Sequence, residues 1–283
     1  MPPFPLLSRF LAPPILSNLE SLARCVEGKT VLVTGASYGI GESLSRLLAQ
    51  AGATVLMAAR SEDKLEALCQ EITGSGRQAH AYPLDLRRPD KVDQAAETIL
   101  SHHGPPHIVV HNAGKSIRRS LFHSLDRAHD FERTMAVNYL GPVRLQLALT
   151  QAMLERREGH IINVSSVSVR LPAPAQWAAY HCSKLAFDQW LAAAVPELRP
   201  QGISVTSVYL GLVHTRMSAP TKAYASYPGL SAEQAARVVC RGIVKRSRTV
   251  APWWLAPARL LSLPIEGPLE GLQGALLRAF SSR

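Results

Sequence analysis

The sequence predicts an α/β protein: a doubly wound parallel sheet of about seven strands with helices on both faces. Three observations predict it. Short apolar runs recur along most of the chain. Most of the segments between them are long enough for a crossover helix. A glycine-rich turn follows the first run and opens a helix-like segment.

The runs are TVLVT at 30–34, TVLMAA at 54–59, AHAYPL at 79–84, IVVH at 108–111, HIINV at 160–164 and ISVTSV at 203–208, with TVA at 249–251 as a seventh candidate. Continuous apolarity, rather than alternation, marks strands buried on both faces. Leu44, Leu47 and Leu48 share one face of the helix after the first strand. Ser61, followed by Glu62 and Asp63, suits a second helix start. Ser231 and Gln234 read as a capping box opening a helix that runs to about Val244. No repeat and no long linker divides the chain, so one domain is expected over residues 29–251. Residues 1–28 are an N-terminal extension, and residues 252–283 are rich in Pro, Leu and Gly and carry Trp253 and Trp254. Packing over the core or at a subunit interface is the first reading of both ends. Contact with a lipid substrate or a membrane surface is the second.

The chain has 283 residues, 47% of them hydrophobic and 18% charged, which argues against disorder. A net charge of +10 invites an anionic partner. Nucleic acid is set aside, because no recognition motif accompanies the one dense basic group, Arg241, Lys245, Arg246 and Arg248. Cys25, Cys69, Cys182 and Cys240 are far apart and form no CxxC pair, so neither zinc nor a disulfide framework is indicated. That usage fits a reducing cytoplasm. The histidines show no HExxH spacing, and no metal is expected. Prolines interrupt the apolar N-terminus and no basic region precedes it, which argues against a cleaved signal peptide. Nowhere are there the roughly 18 uninterrupted apolar residues of a membrane span. The expected location is cytoplasmic, with the termini as the surface for any peripheral membrane contact.

The turn after the first strand reads Thr34, Gly35, Ala36, Ser37, Tyr38, Gly39, Ile40, Gly41. Glycines there let the backbone turn tightly and approach a pyrophosphate, whose charge meets a helix N-terminus. Gly35, Ser37, Tyr38, Gly39, Ile40 and Gly41 are therefore candidate cofactor contacts. An NAD site places a carboxylate about 20 residues past this loop, on the ribose hydroxyl. Here the second strand ends in Ala59 and Arg60. An arginine pairs with a ribose 2′-phosphate, so NADPH is expected over NADH.

Tyr180 and Lys184 stand four apart, on one face of a helix. A free phenol is a poor acid at neutral pH, and a nearby cation lowers its pKa. Tyrosine then gives a proton to a carbonyl oxygen, or takes one in reverse. Upstream lie a strand ending in Ser165 and Ser166, a strand followed by Asn112, Ala113 and Gly114, and Asn138 in a helical segment.

TGxxxGxG, NAG, the helical Asn, the Ser-Ser strand end and YxxxK, in this order, resemble the short-chain dehydrogenase/reductase family, over about residues 28–250. The resemblance implies a Rossmann-type sheet. It implies that Ser166 orients the carbonyl, Tyr180 is the acid/base, Lys184 binds the nicotinamide ribose and tunes Tyr180, and Asn138 holds a water in a proton relay. It also implies that Asp85 and Leu86 border the adenine. Asn112, Ala113 and Gly114 would line the cofactor, and Val213 and Thr215 would approach the carboxamide. A homodimer or homotetramer is implied as well.

Three features depart from the pattern or leave it open. Leu210-Gly211 stands where many members have Pro-Gly. Ser166 lies 14 residues before Tyr180, one more than the resemblance leads one to expect, so Ser165 and Ser168 stay as secondary candidates. Lys115 either faces the pocket or is exposed. NAGKSIRRSL and the stretches at 130–145 and 218–236 resemble bacterial reductases of fatty acyl-CoA and related long-chain substrates. In that reading Arg118 and Arg119 meet CoA or carrier phosphates, and the apolar termini, Pro172 to Trp177 and Met217 to Tyr227 form an acyl channel, unless they are core or oligomer contacts. Reduction of a 3-oxoacyl or other lipid-like ketone is the first reaction expected, and reduction of an acyl-CoA to the aldehyde the second. A non-catalytic NADPH-binding or membrane-associated protein is the non-enzyme alternative.

Overall fold

The computed structural model describes residues 5–262, 264 and 266–281. Two short helices come first, α1 (Pro5–Leu11) and α2 (Glu20–Val26). Strands and helices then alternate: β1 (Thr30–Thr34), α3 (Gly39–Gln50), β2 (Thr54–Ala59), α4 (Glu62–Gly74), β3 (Ala79–Pro83), α5 (Pro89–His103) and β4 (Ile108–His111). Next come α6 (Ala128–Met135), α7 (Gly141–Arg156), β5 (Gly159–Ser166), α8 (Ala178–Leu198) and β6 (Ile203–Leu210). The chain continues through β7 (Val213–His214), β8 (Leu230–Ser231), α9 (Ala232–Lys245), β9 (Thr249–Val250), α10 (Leu255–Ser262) and α11 (Glu266–Ser281).

The main sheet has seven strands in the order β3-β2-β1-β4-β5-β6-β9, all paired in parallel. The winding direction reverses between β1 and β4, where Val31 lies beside Ile108. Such a reversal opens a crevice at the C-terminal strand ends, where ligands of open α/β sheets bind. The seven expected strands are all present. β5 and β6 extend two residues further than their apolar runs, so that Ser166 is the last residue of β5. The two-residue ladder of β7 with β8 was not foreseen. It is too short to carry a periodic signal.

Side chains alternate across the sheet. Val31, Val33, Val55 and Met57 pack on one face with Leu44 and Leu48 of α3 and Val238 and Val239 of α9. Leu32, Leu56 and Val109 pack on the other with Val92 of α5, Leu145 of α7 and Phe187 of α8. Each fully buried aliphatic side chain of this kind contributes roughly 1.5–3 kcal/mol of transfer free energy. Leu22 and Val26 of α2 join the first of these clusters and are fully buried. Ser231 caps α9 with both capping-box bonds in place, to Gln234 and back. Ser61 precedes α4 in extended backbone, yet its side chain makes no cap bond, leaving Glu62 and Asp63 to favour that helix start.

Candidate active site

Glycine chemistry shapes the turn from β1 to α3. Gly35 has φ +69°, and a Cβ there would lie 2.8 Å from the Ala113 Cα. A Cβ on Gly41 would overlap the Gly35 carbonyl. The turn is therefore folded onto itself and onto the end of β4, with the α3 N-terminus at its far side. Thr34 and Asn112 brace this junction. The Thr34 hydroxyl accepts from the backbone amides of Asn112 and Ala113, each at 3.1 Å. The Asn112 side chain donates to the carbonyls of Thr34 and Gly35 at 3.0 and 3.2 Å. Ser37, Tyr38 and Ile40 sit in the turn or the first turn of α3. Arg216 stacks on the Tyr38 ring at 4.8 Å. A Cβ on Gly39 would come within 3.2 Å of the Thr215 methyl, which places the segment after β7 over the helix start. Val213 is buried in β7.

Beside this turn, Arg60 directly follows β2, and Asp85 and Leu86 follow β3. Burial raises the Asp85 carboxyl, but hydrogen bonds from Arg87 and the charges of Arg87 and Arg60 outweigh it and hold the group low. Lys115, directly after Gly114, is half-buried. Burial and the charges of Arg133, Arg60 and Arg87 push its ammonium below the usual lysine range, against a smaller attraction from Asp130. Of the two readings of Lys115, simple exposure is thus wrong. Cations from three neighbouring strand ends converge here, and among the described residues neither Arg60 nor Lys115 forms an ion pair.

The second cluster joins β5, α8 and the α6–α7 junction. Lys184 is buried one helical turn after Tyr180, and its ammonium donates to the Val164 carbonyl at 3.0 Å. Burial brings it down to about 8, with Asp188 pulling the other way. Ser166 is the hydroxyl neighbour that acts on the Tyr180 phenol. That phenol is raised, because burial outweighs the lowering by Ser166, and Tyr224 adds to the rise. The expected lowering of Tyr180 by Lys184 is therefore absent, and the lysine's proton is turned to the β5 backbone instead.

Among the three serines, Ser166 is the one that meets Tyr180. Ser165 is buried, and its hydroxyl has no partner among the described residues. Ser168 donates both its amide and its hydroxyl to the Ser166 oxygen.

Asn138 sits in a π-turn over Ala136–Leu140, a distortion that favours functional sites. Its amide donates to the Lys115 carbonyl at 2.8 Å and to the Ser183 hydroxyl at 2.9 Å, and its carbonyl accepts from the Lys115 amide at 2.7 Å. It thereby ties the NAG strand end to α8. A Cβ on Gly114 would touch both the Asn138 oxygen and the Lys184 ammonium, at 3.4 and 3.5 Å.

Trp177 and Tyr224 lie in segments expected to form an acyl channel, whereas Asp188 was missed from sequence. Trp177 packs edge-on against Tyr180, with ring centroids 5.9 Å apart, and lies parallel to Tyr224 at 6.1 Å. Asp188 is fully buried, four residues after Lys184, and accepts from Tyr209 at 3.0 Å and Asn163 at 3.3 Å, with Arg170 at 3.4 Å. Its helical spacing from Lys184 was the available signal. Arg119 is not free for a ligand phosphate as expected. Together with Arg127 and Arg133 it holds the buried Asp130, whose carboxyl burial would raise but whose arginines bring it to about 2. Arg118 is exposed, near Tyr224.

The family model for short chain dehydrogenases matches residues 29–225. A fatty acyl-CoA reductase of Acinetobacter baylyi is 44% identical over 235 residues, covering 83% of this chain and 79% of the relative. A fatty acyl-CoA reductase of Mycobacterium tuberculosis is 39% identical over 86% of this chain and 83% of its own. A metagenomic short-chain oxidoreductase solved with NADP superposes with a TM-score of 0.68 at 29% identity, over 80% of this chain and 96% of that one. A short-chain type dehydrogenase/reductase from Mycobacterium marinum gives 0.73 at 27% identity, over 83% and 98%. With its doubly wound sheet and this match across most of its length, the chain belongs to the short-chain dehydrogenase/reductase family of oxidoreductases.

Proposed function

We propose that this protein is an NADPH-dependent reductase of long-chain acyl thioesters, forming the aldehyde. The carrying observation is the junction of Ser166, Tyr180 and Lys184 beside a glycine turn flanked by unpaired cations. The site fits the dinucleotide. The turn at Gly35 and Gly41 has no room for side chains, as close approach of a pyrophosphate requires. Arg60, assisted by Lys115, would hold the ribose 2′-phosphate; Asp85 and Leu86 would border the adenine. Val213 and Thr215 would lie beside the carboxamide, and Lys184 would reach the nicotinamide ribose. The NADP complex of the metagenomic relative supports that reading.

When bound, NADPH supplies the hydride that the substrate carbonyl carbon accepts. Ser166 accepts twice from Ser168, so its own proton is left to bind Tyr180 or the substrate oxygen. Tyr180, kept protonated by burial, gives its proton to that oxygen. For a thioester, Tyr180 takes this proton back as the C–S bond breaks; CoA leaves as the thiolate and takes its proton from solvent. Asn138 holds Lys115 and Ser183 in place around Lys184. The ring of Trp177 and Tyr224 shields the phenol from water.

The two relatives named as fatty acyl-CoA reductases favour thioester reduction. Reduction of a 3-oxoacyl or other lipid-like ketone uses the same proton path and stands second. The complete catalytic set argues against a binding protein without turnover. A homodimer or homotetramer goes with this reading, supported by the exposed Leu140, Leu147 and Leu154, spaced seven apart across the π-turn and α7.

The test follows NADPH consumption with long-chain acyl-CoA, 3-oxoacyl thioesters and simple ketones, with NADH in parallel. Aldehyde from acyl-CoA is the expected product. Turnover of ketones alone would overturn the thioester reading, and preference for NADH would overturn the role of Arg60.

A further inference from the structure

The terminal segments do not merely cover the core. The Gly229 amide donates to the Ser8 hydroxyl of α1 at 3.1 Å, two residues after Tyr227. The Ala175 amide donates to Gln273 of α11 at 2.9 Å, two residues before Trp177. Both termini thus reach the loops that carry the aromatic ring over Tyr180. They also hold each other. The Trp253 and Trp254 indoles donate to the carbonyls of Phe10 and Leu11, and Phe10 packs edge-on against Trp253 at 5.2 Å.

These segments turn large apolar side chains to solvent. Leu6 is 85% exposed, Phe10 and Trp253 61%, and Leu260 and Leu261 70%. Ordinary surfaces rarely gather so many. Around the mouth, residues 5–19, 112–125, 171–177, 211–232 and 249–262 contain no Asp or Glu, while α11 carries Glu266 and Glu270. The mouth segments do contain Arg9, Arg118, Arg216, Lys222 and Arg259, all exposed. Apolar Leu, Phe and Trp beside isolated cations are the composition of helices that lie in a membrane interface. A second copy of the chain would bring the same cations of α1, α10 and the loops against this face, and like charge opposes that pairing.

We propose that the active-site mouth docks on an anionic lipid bilayer, through α1, the Trp253 segment and α10. The long acyl chain then enters from the bilayer without crossing water. The docking stands on these terminal segments; the entry of an acyl chain rests on the reductase reading above. Among the described residues no helix is long and apolar enough to cross a membrane, so the contact is interfacial.

The full-length protein is sedimented with vesicles of phosphatidylcholine alone, or with phosphatidylglycerol added, at low and high salt. Pelleting with the anionic vesicles, weakened by salt, is expected. A Leu6→Ser, Leu260→Ser, Leu261→Ser variant alters only exposed positions, so its melting temperature and NADPH binding stay unchanged. Its vesicle affinity falls at least about tenfold. No binding to anionic vesicles, or equal binding by the variant, overturns the proposal. So does a wild-type oligomer that the variant dissolves, since the patch then belongs to a second copy. Vesicle binding without turnover of any thioester or ketone overturns the reductase reading and leaves the docking intact.

Discussion

The Ser166 oxygen accepts two hydrogen bonds from Ser168, from the amide at 3.2 Å and from the hydroxyl at 3.0 Å. With both accepted, the Ser166 proton has one useful direction, toward Tyr180 and the substrate oxygen. Ser168→Ala removes the hydroxyl half of this restraint. Its kcat is expected to fall about tenfold, as for one lost orienting bond, while KM for NADPH holds. Ser166→Ala should cost 10²-fold or more, on the order of one lost oxyanion donor. Steady-state kinetics of both variants checks the ranking.

Tyr180→Phe should lose turnover by roughly 10²–10⁴-fold, the usual worth of a positioned acid. The ring still fills its place against Trp177. NADPH affinity, measured by quenching of protein fluorescence, should therefore stay within about twofold.

Lys184 is charged below its pKa of about 8 and neutral above it. Reductive turnover is expected to fall as pH rises through about 8. Asp188 favours the charged form, so Asp188→Asn should move this limb down by roughly one pH unit. Breaking the buried set with Arg170 and Tyr209 should also cost about 3–5 kcal/mol of stability. A pH profile of kcat/KM and a denaturant melt separate the two effects.

Arg60→Ala should weaken NADPH binding about 10–100-fold, the worth of one or two charged hydrogen bonds, and leave NADH unchanged. Lys115→Ala should show the same selectivity with a smaller loss. Parallel titrations with the two nucleotides decide it. Equal losses for both would place the cations elsewhere than at the 2′-phosphate.

His111 is fully buried and lowered to about 4; His160, equally buried, is lowered to about 3, in both cases chiefly by burial. Their folded values lie below the unfolded value of about 6.5. Between these limits the unfolded chain binds more protons, so stability falls as pH drops. Each histidine should contribute on the order of 3 kcal/mol of acid destabilisation, developing below about pH 6.5 and levelling off near its folded value. His160→Asn should flatten part of this slope in melts across the acid range.

The strands, their parallel pairing, the glycine turn and the Tyr180–Lys184 pair were legible in the residues themselves. Each rests on a local rule: continuous apolarity for a buried strand, backbone freedom at glycine, and one helical turn between positions four apart. Arg60 in place of a carboxylate was legible for the same reason. What the local rules did not carry was everything set by burial and by loops meeting from far along the chain. Spacing led one to expect a lowered Tyr180, yet packing raised it, because desolvation depends on all the neighbours at once. Arg119 read as a phosphate ligand until Asp130 was found beside it. Trp177 and Tyr224 stack although nearly fifty residues separate them, and α1 meets the Trp253 segment across almost the whole chain. Such contacts depend on how the chain closes on itself, which only the packed sheet and its crossovers decide.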